Sequence, residues 1–220
     1  MDRRGFLVAA ATMAAAGVRT VQALENAELL AAAARGDAAE VGRLIAAGTP
    51  VDPRDGDGRT PLLLATRGGH VEAARLLIAG GADVNAKDRL QDSPYLYAGA
   101  EGKDAILRLT LAAGADLKST NRYGGTALIP AAHHGHVSTV RILLATAIDK
   151  DHVNRLGWTA LLEAVILGDG GPAHVEIVHL LVEAGADTDI ADRDGATPLA
   201  HARRRGYAQM VRILEGAGAK

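Results

Sequence analysis

Apolar residues in this chain recur at helical spacing, in short runs set apart by glycine. Val71, Ala74, Leu77 and Ile78 form one run, and Val175, Val178, Leu181 and Val182 another. Steps of three and four put each set on one face of a helix. The runs return with a period, and so do their flanks. Gly58-Arg59-Thr60-Pro61-Leu62 is echoed by Gln91-Asp92-Ser93-Pro94-Tyr95, Gly124-Gly125-Thr126-Ala127-Leu128, Gly157-Trp158-Thr159-Ala160-Leu161 and Gly195-Ala196-Thr197-Pro198-Leu199. The Thr or Ser stands at 60, 93, 126, 159 and 197, in steps of 33, 33, 33 and 38.

Two further blocks keep register with the first. Gly69, Gly102, Gly135 and Gly206 each lie nine residues after the Thr or Ser, and Gly-Ala-Asp recurs at 81–83, 114–116 and 185–187. The roles follow from backbone chemistry. The Thr or Ser side chain is placed to accept from the unpaired N–H groups that open a helix. Pro61, Pro94 and Pro198 occupy the first helical position, where no donor is lost. The glycine ends this first helix, a second follows, and Gly-Ala-Asp ends that one and starts a hairpin-like finger. Stepping back 33 residues from Thr60 reaches Ala27, which predicts a degenerate first repeat with helices at Ala27–Ala34 and Ala38–Ala46.

A 33-residue period carrying T-P-L, Gly-His and Gly-Ala-Asp blocks resembles the ankyrin repeat, over nearly the whole chain beyond the first residues. The resemblance implies an all-α ankyrin-repeat solenoid with short β-hairpin fingers. Six repeats are expected, at 25–57, 58–90, 91–123, 124–156, 157–194 and 195–220, within a domain of 24–220. Two departures stand out. Pro130 falls within the first turns of its helix, and 168–172 holds a five-residue insertion, read as a flexible surface loop.

Composition narrows the chemistry. Aromatic residues are 3% and apolar residues 48%, so the core must be built from Ala, Leu, Val and Ile. With no cysteine, disulfides, thiolate metal sites and cysteine nucleophiles are excluded. A formal net charge of −2 provides no general attraction to nucleic acid or anionic lipid. At the start, Arg3 and Arg4 precede an apolar run from Phe6 to Val18, and Val21-Gln22-Ala23 offers a small-residue cleavage site. Arg3-Arg4-Gly5-Phe6-Leu7 resembles a bacterial twin-arginine export signal, with Asp2 and Val8 departing from the motif. A signal peptide over 1–23, a Gram-negative periplasmic location and no membrane anchorage after cleavage are the resulting expectations.

The resemblance implies that finger tips and the inner face of the first helices form the contact groove. Arg89, Arg122, Arg155 and Arg193 share one finger position, next to Asp88, Asn121, Asn154 and Asp192. An arginine ladder would steer an acidic partner, unless each arginine is spent on a local carboxylate. Leu90, Tyr123 and Leu156 sit one position on, and Trp158 two beyond Leu156. Tyr and Trp are favoured interface anchors, although Trp158 could instead fold back on its own repeat. His133 and His134 lie at the groove end of one helix, with Glu101 placed to pair with His134, and Glu163 with His201. Adjacent helical histidines point about 100° apart, so His133 and His134 cannot easily share an ion. No metal site, catalytic residue or cofactor is assigned. The expected function is non-catalytic binding of another protein, not nucleic acid, by a chain that is monomeric on its own. The alternatives are a metal or haem chaperone using the His-rich middle, or an accessory subunit escorting an exported enzyme.

Overall fold

The structure, a computed structural model, describes residues 21–220. The signal-peptide expectation therefore lies outside the described residues except at 21–23, which are helical. The described chain forms two compact units, the first ending at Asp83 and the second beginning at Val84. The first holds α1 (21–35), α2 (Ala38–Ala46), α3 (Pro61–Gly68) and α4 (Val71–Ala79). The second holds α5 (Pro94–Ala100), α6 (Asp104–Ala112), α7 (Leu128–His133), α8 (Val137–Leu144), α9 (Ala160–Ile166), α10 (Pro172–Glu183), α11 (Pro198–Arg205) and α12 (Ala208–Gly216). The predicted Ala38–Ala46 helix is found with those bounds, and the helix before it already covers residue 21, six residues ahead of the predicted start.

Within each repeat the Thr or Ser caps its helix as its chemistry requires. Thr60, Ser93, Thr159 and Thr197 accept from the N–H three residues on, each at 3.2 Å. Thr126 does not. In an intact repeat the fourth N–H after the Thr closes the first helical turn, as Leu64 N–H does onto the Thr60 carbonyl at 3.0 Å. In this repeat the fourth residue is Pro130, which has no N–H. Ile129 N–H donates to the Thr126 carbonyl instead, at 3.2 Å, and the Thr126 hydroxyl is buried without a partner. Helix α7 starts late, at Leu128. The consequence of Pro130 is thus a lost cap.

The insertion is a loop over 168–171, and it is held by hydrogen bonds. Part of it becomes an additional turn at the start of α10, which has 12 residues where α2, α4, α6, α8 and α12 have 8 or 9. Asp169 Oδ1 accepts from Gly171 N–H at 2.8 Å and pairs with His174 Nδ1 at 2.9 Å. The other nitrogen of His174 meets the His133 carbonyl at 2.8 Å, and Tyr207 Oη donates to the Gly168 carbonyl at 3.0 Å. Both ends of the insertion are tied to adjacent repeats.

The core is small-residue, as composition demanded. In the second unit Leu107, Ala127, Leu128, Ala131, Leu143, Leu162, Ala164, Val178 and Leu181 are fully buried. Tyr95 is the exception in size. It stands where other repeats have Leu62, Leu128, Leu161 or Leu199, it is fully buried, and its hydroxyl finds no hydrogen-bond partner. Burial pushes its ionisation well above the ordinary phenol range.

Candidate protein-contact face

The fingers are turns rather than strands: among the described residues no β-strand forms, which corrects the hairpin expectation. Each is organised by one Asp or Asn. In the second unit, Asp88 Oδ1 accepts from Leu90 and Asp92 N–H at 2.8 and 3.0 Å, and Asn121 Oδ1 from Tyr123 and Gly125 at 2.9 and 3.1 Å. Asn154 Oδ1 accepts from Leu156 and Trp158 at 2.9 and 3.0 Å, and Asp192 Oδ1 from Asp194 and Ala196 at 3.0 and 2.9 Å. Asp55 does the same in the first unit. The side chain imitates a backbone acceptor, which is why only Asp and Asn serve here. The turn demands a left-handed residue at its fourth position, and Gly58, Gly124, Gly157 and Gly195 supply it with φ between 74° and 88°. Gln91 fills that position with φ 65° and is the only non-glycine residue of positive φ among those described.

This geometry sets the side chains that follow each Asp or Asn. Leu90, Tyr123 and Leu156 are 51%, 52% and 46% exposed. Val153 is 47% exposed and joins them. It was missed in the sequence, although its place is taken by Lys87 and Thr120 in neighbouring repeats, so an apolar residue there was a signal. Trp158 is half-buried, between the two orientations considered.

The arginine ladder is partly structural. Arg155 Nη1 donates to the Arg122 carbonyl at 3.0 Å, while its N–H donates to the Tyr123 carbonyl at 2.9 Å. Arg193 Nη2 donates to the Arg155 carbonyl. Arg122 lies 3.9 Å from Asp92 and its guanidinium sits over the Tyr123 ring, 4.9 Å from the centroid. The stems cross glycine: a Cβ on Gly124 would lie 2.8 Å from Arg155 Cγ, and one on Gly157 2.7 Å from Arg193 Cγ. Arg89, Arg122, Arg155 and Arg193 nevertheless stay exposed.

At the groove end the expected pairs re-form with other partners. His134 Nδ1 contacts the Ala100 carbonyl at 2.7 Å rather than Glu101. Glu163 accepts from Asn154 Nδ2 at 2.8 Å and lies 3.7 Å from His133 Nδ1, so it does not reach His201. His201 Nε2 meets Asp192 Oδ2 at 2.6 Å, and Arg204 donates to its Nδ1 at 2.7 Å. Burial raises the Glu163 carboxyl to about 7, against the Asn154 amide that pulls it down. Burial, then the adjacent His134 and His174, lower the His133 pKa. The His133 and His134 rings stack tilted at 4.7 Å, and His136 meets His134 edge-on at 5.8 Å. Among the described residues no three His, Asp or Glu side chains gather in a metal-holding geometry.

The profile described as Ankyrin repeats (3 copies) matches at 13–88, 29–121 and 95–192, more than half of the chain. The chain belongs to the ankyrin repeat family. A crystal structure of an ankyrin repeat domain from Acinetobacter baumannii AYE is 58% identical, with a TM-score of 0.85 over 87% of this chain and 98% of that one. EF0377, another ankyrin repeat protein of known structure, is 43% identical, with a TM-score of 0.84 over 86% of this chain and 97% of its own. The ankyrin repeat protein YahD of Escherichia coli strain K12 is 46% identical over 57 residues, which span 26% of this chain and 28% of YahD. Ankyrin repeats are protein–protein interaction modules, and the family is generally non-catalytic. In this ankyrin repeat chain the solenoid class is as expected, and no helix among the described residues is long and apolar enough to cross a membrane.

Proposed function

We propose that this ankyrin repeat chain is a non-catalytic binding module of the bacterial periplasm, monomeric on its own, whose contact face is the finger edge of the second unit. The observation that carries the reading is the exposure of Leu90, Tyr123 and Leu156 on successive fingers. Most other large apolar side chains among the described residues are in the core, and exposed apolar groups in a row mark interaction surfaces. Arg89, Arg122, Arg155 and Arg193 are exposed next to them in sequence, His134 is exposed, and His133 and Trp158 are half-buried. Because the turns are fixed by Asp and Asn side chains, binding orders little that is not already ordered.

The location rests on Arg3, Arg4 and the apolar run after them. The chaperone alternative draws no support from His133, His134 and His136, since His134 Nδ1 is spent on the Ala100 carbonyl and no metal-holding group of three forms among the described residues. Affinity capture from periplasmic extract with crosslinking and mass spectrometry tests the reading. The parent should retain a partner that Tyr123→Ala with Leu156→Ala releases, with the melting temperature unchanged. Capture that survives the double substitution removes this face. Retention of the protein in the cytoplasm when Arg3 and Arg4 become Lys supports twin-arginine export, and unchanged export refutes it.

A further inference from the structure

We infer that the two central fingers, 121–125 and 154–158, accept an acidic protein segment carrying apolar side chains. The inference rests on the reading of the finger edge as the contact face and adds the chemistry of the partner. The turn-organising residue is Asp at 55, 88 and 192, and Asn at 121 and 154. The task is the same in both cases: one Oδ1 accepting two backbone N–H groups at about 3 Å. The amide does it without the negative charge. At 121 the difference is therefore electrostatic and keeps the turn acceptor, while at 154 the amide also donates to Glu163 Oε1, which an Asp carboxylate would not do.

The remaining finger residues follow the same division. Finger 55–59 has Asp55, Asp57 and Arg59; finger 88–92 has Asp88, Arg89 and Asp92; finger 192–196 has Asp192, Arg193 and Asp194. Each of these has one more carboxylate than cations. Fingers 121–125 and 154–158 have Arg122 and Arg155 with no carboxylate. A chain of net charge −2 thus keeps a cationic surplus on two adjacent fingers. Asp92 lies at 3.9 Å from Arg122, too far for a hydrogen bond, and offsets part of one charge.

The same two fingers show Tyr123 and Leu156 to solvent, and Val153, just before the second, is exposed as well. Arg155 is held by the Arg122 carbonyl and by the close pass over Gly124, and Arg122 by the Tyr123 ring. A guanidinium has five N–H donors, so one carbonyl contact leaves a fork for a carboxylate. Pre-set arginines beside exposed apolar side chains fit a segment that offers Asp or Glu together with Leu-like residues. A net-negative chain disfavours a long polyanion such as nucleic acid, whose binding needs many phosphate contacts.

The test uses the full chain and a labelled 12-residue peptide of alternating Glu and Leu. The comparison probes are its Gln/Leu counterpart and a 12-nucleotide oligothymidylate, all read by fluorescence anisotropy. The acidic peptide should bind at least tenfold tighter than the Gln counterpart and the oligonucleotide, and weaken as salt rises. The decisive variant is Asn121→Asp, which keeps the turn acceptor and cancels the surplus charge on its finger. It should melt with the parent and lose at least threefold in affinity for the acidic peptide. Equal binding of the Glu and Gln peptides, tighter binding of oligothymidylate, or an affinity that the variant leaves unchanged overturns the inference. Where capture of a natural partner is lost on Tyr123→Ala with Leu156→Ala but persists in the Asn→Asp variant, the face stands and its acidic partner does not.

Discussion

Replacing Pro130 by alanine returns an N–H to the fourth residue after Thr126 and should rebuild the cap that this repeat lacks. The restored N–H bonds the Thr126 carbonyl, and Ile129 N–H is released to the Thr126 hydroxyl, now buried without a partner. One net hydrogen bond contributes about 1 kcal/mol, and relief of an unsatisfied buried hydroxyl about 1–3 kcal/mol. Against this, alanine gives the unfolded chain back roughly 0.4–1 kcal/mol of freedom that proline denies it. Some packing of the half-buried ring is also lost. The expected gain is about 1–2 kcal/mol, read by equilibrium urea unfolding with an unchanged m-value. A double-mutant cycle isolates the cap. Thr126→Ala should cost close to nothing in the parent, where the hydroxyl caps nothing. It should cost about 1 kcal/mol in the Pro130→Ala background, like Thr60→Ala at an intact cap. A coupling of about 1 kcal/mol between two residues four apart is the signature. If Thr126→Ala costs the same in both backgrounds, the account of Pro130 is wrong.

Other substitutions probe the remaining strained or orphaned groups. Gln91→Gly should stabilise by about 0.5–1 kcal/mol, because a side chain at φ 65° costs more than the entropy glycine adds; a loss in chemical denaturation would contradict this. Tyr95→Phe removes the partnerless buried hydroxyl and should be neutral or raise stability by about 1 kcal/mol, checked by calorimetry. Glu163 binds its proton more tightly in the fold than in the unfolded chain, so its contribution falls as pH rises from the ordinary glutamate range through about 7. Glu163→Gln still accepts from Asn154 and should flatten that fall, gaining about 2 kcal/mol at pH 8 relative to pH 5; parallel stability curves would refute the burial argument.

Much of the architecture was legible because each repeat carries its own start and stop chemistry. Thr60, Ser93, Thr159 and Thr197 cap the helices that they were placed to cap. Thr126 was misread because a cap needs its neighbours' N–H groups as well as its own oxygen, and Pro130 withholds one. The exposed finger residues Leu90, Tyr123 and Leu156 were placed by register alone. Their arginine neighbours were harder, since whether Arg155 reaches solvent or the Arg122 carbonyl depends on a stem that only a glycine beneath it allows. Pairings such as Glu163 with His201 failed for a related reason. Equivalent positions in adjacent repeats were taken as partners, while His201 and Glu163 each found the turn residue nine positions earlier in the chain, Asp192 and Asn154.

The lengthened α10 implies how this scaffold could be enlarged by design or drift. Three residues advance a helix by about 300°, close to one revolution, so a segment of that size shifts the apolar stripe by only about 60°. Val178 and Leu181 remain buried behind the added turn. Growth in whole revolutions at a helix start therefore spares the neighbours, whereas a change of one or two residues would rotate that stripe away from them. The start of α10 is accordingly the place to graft a new binding element onto this protein.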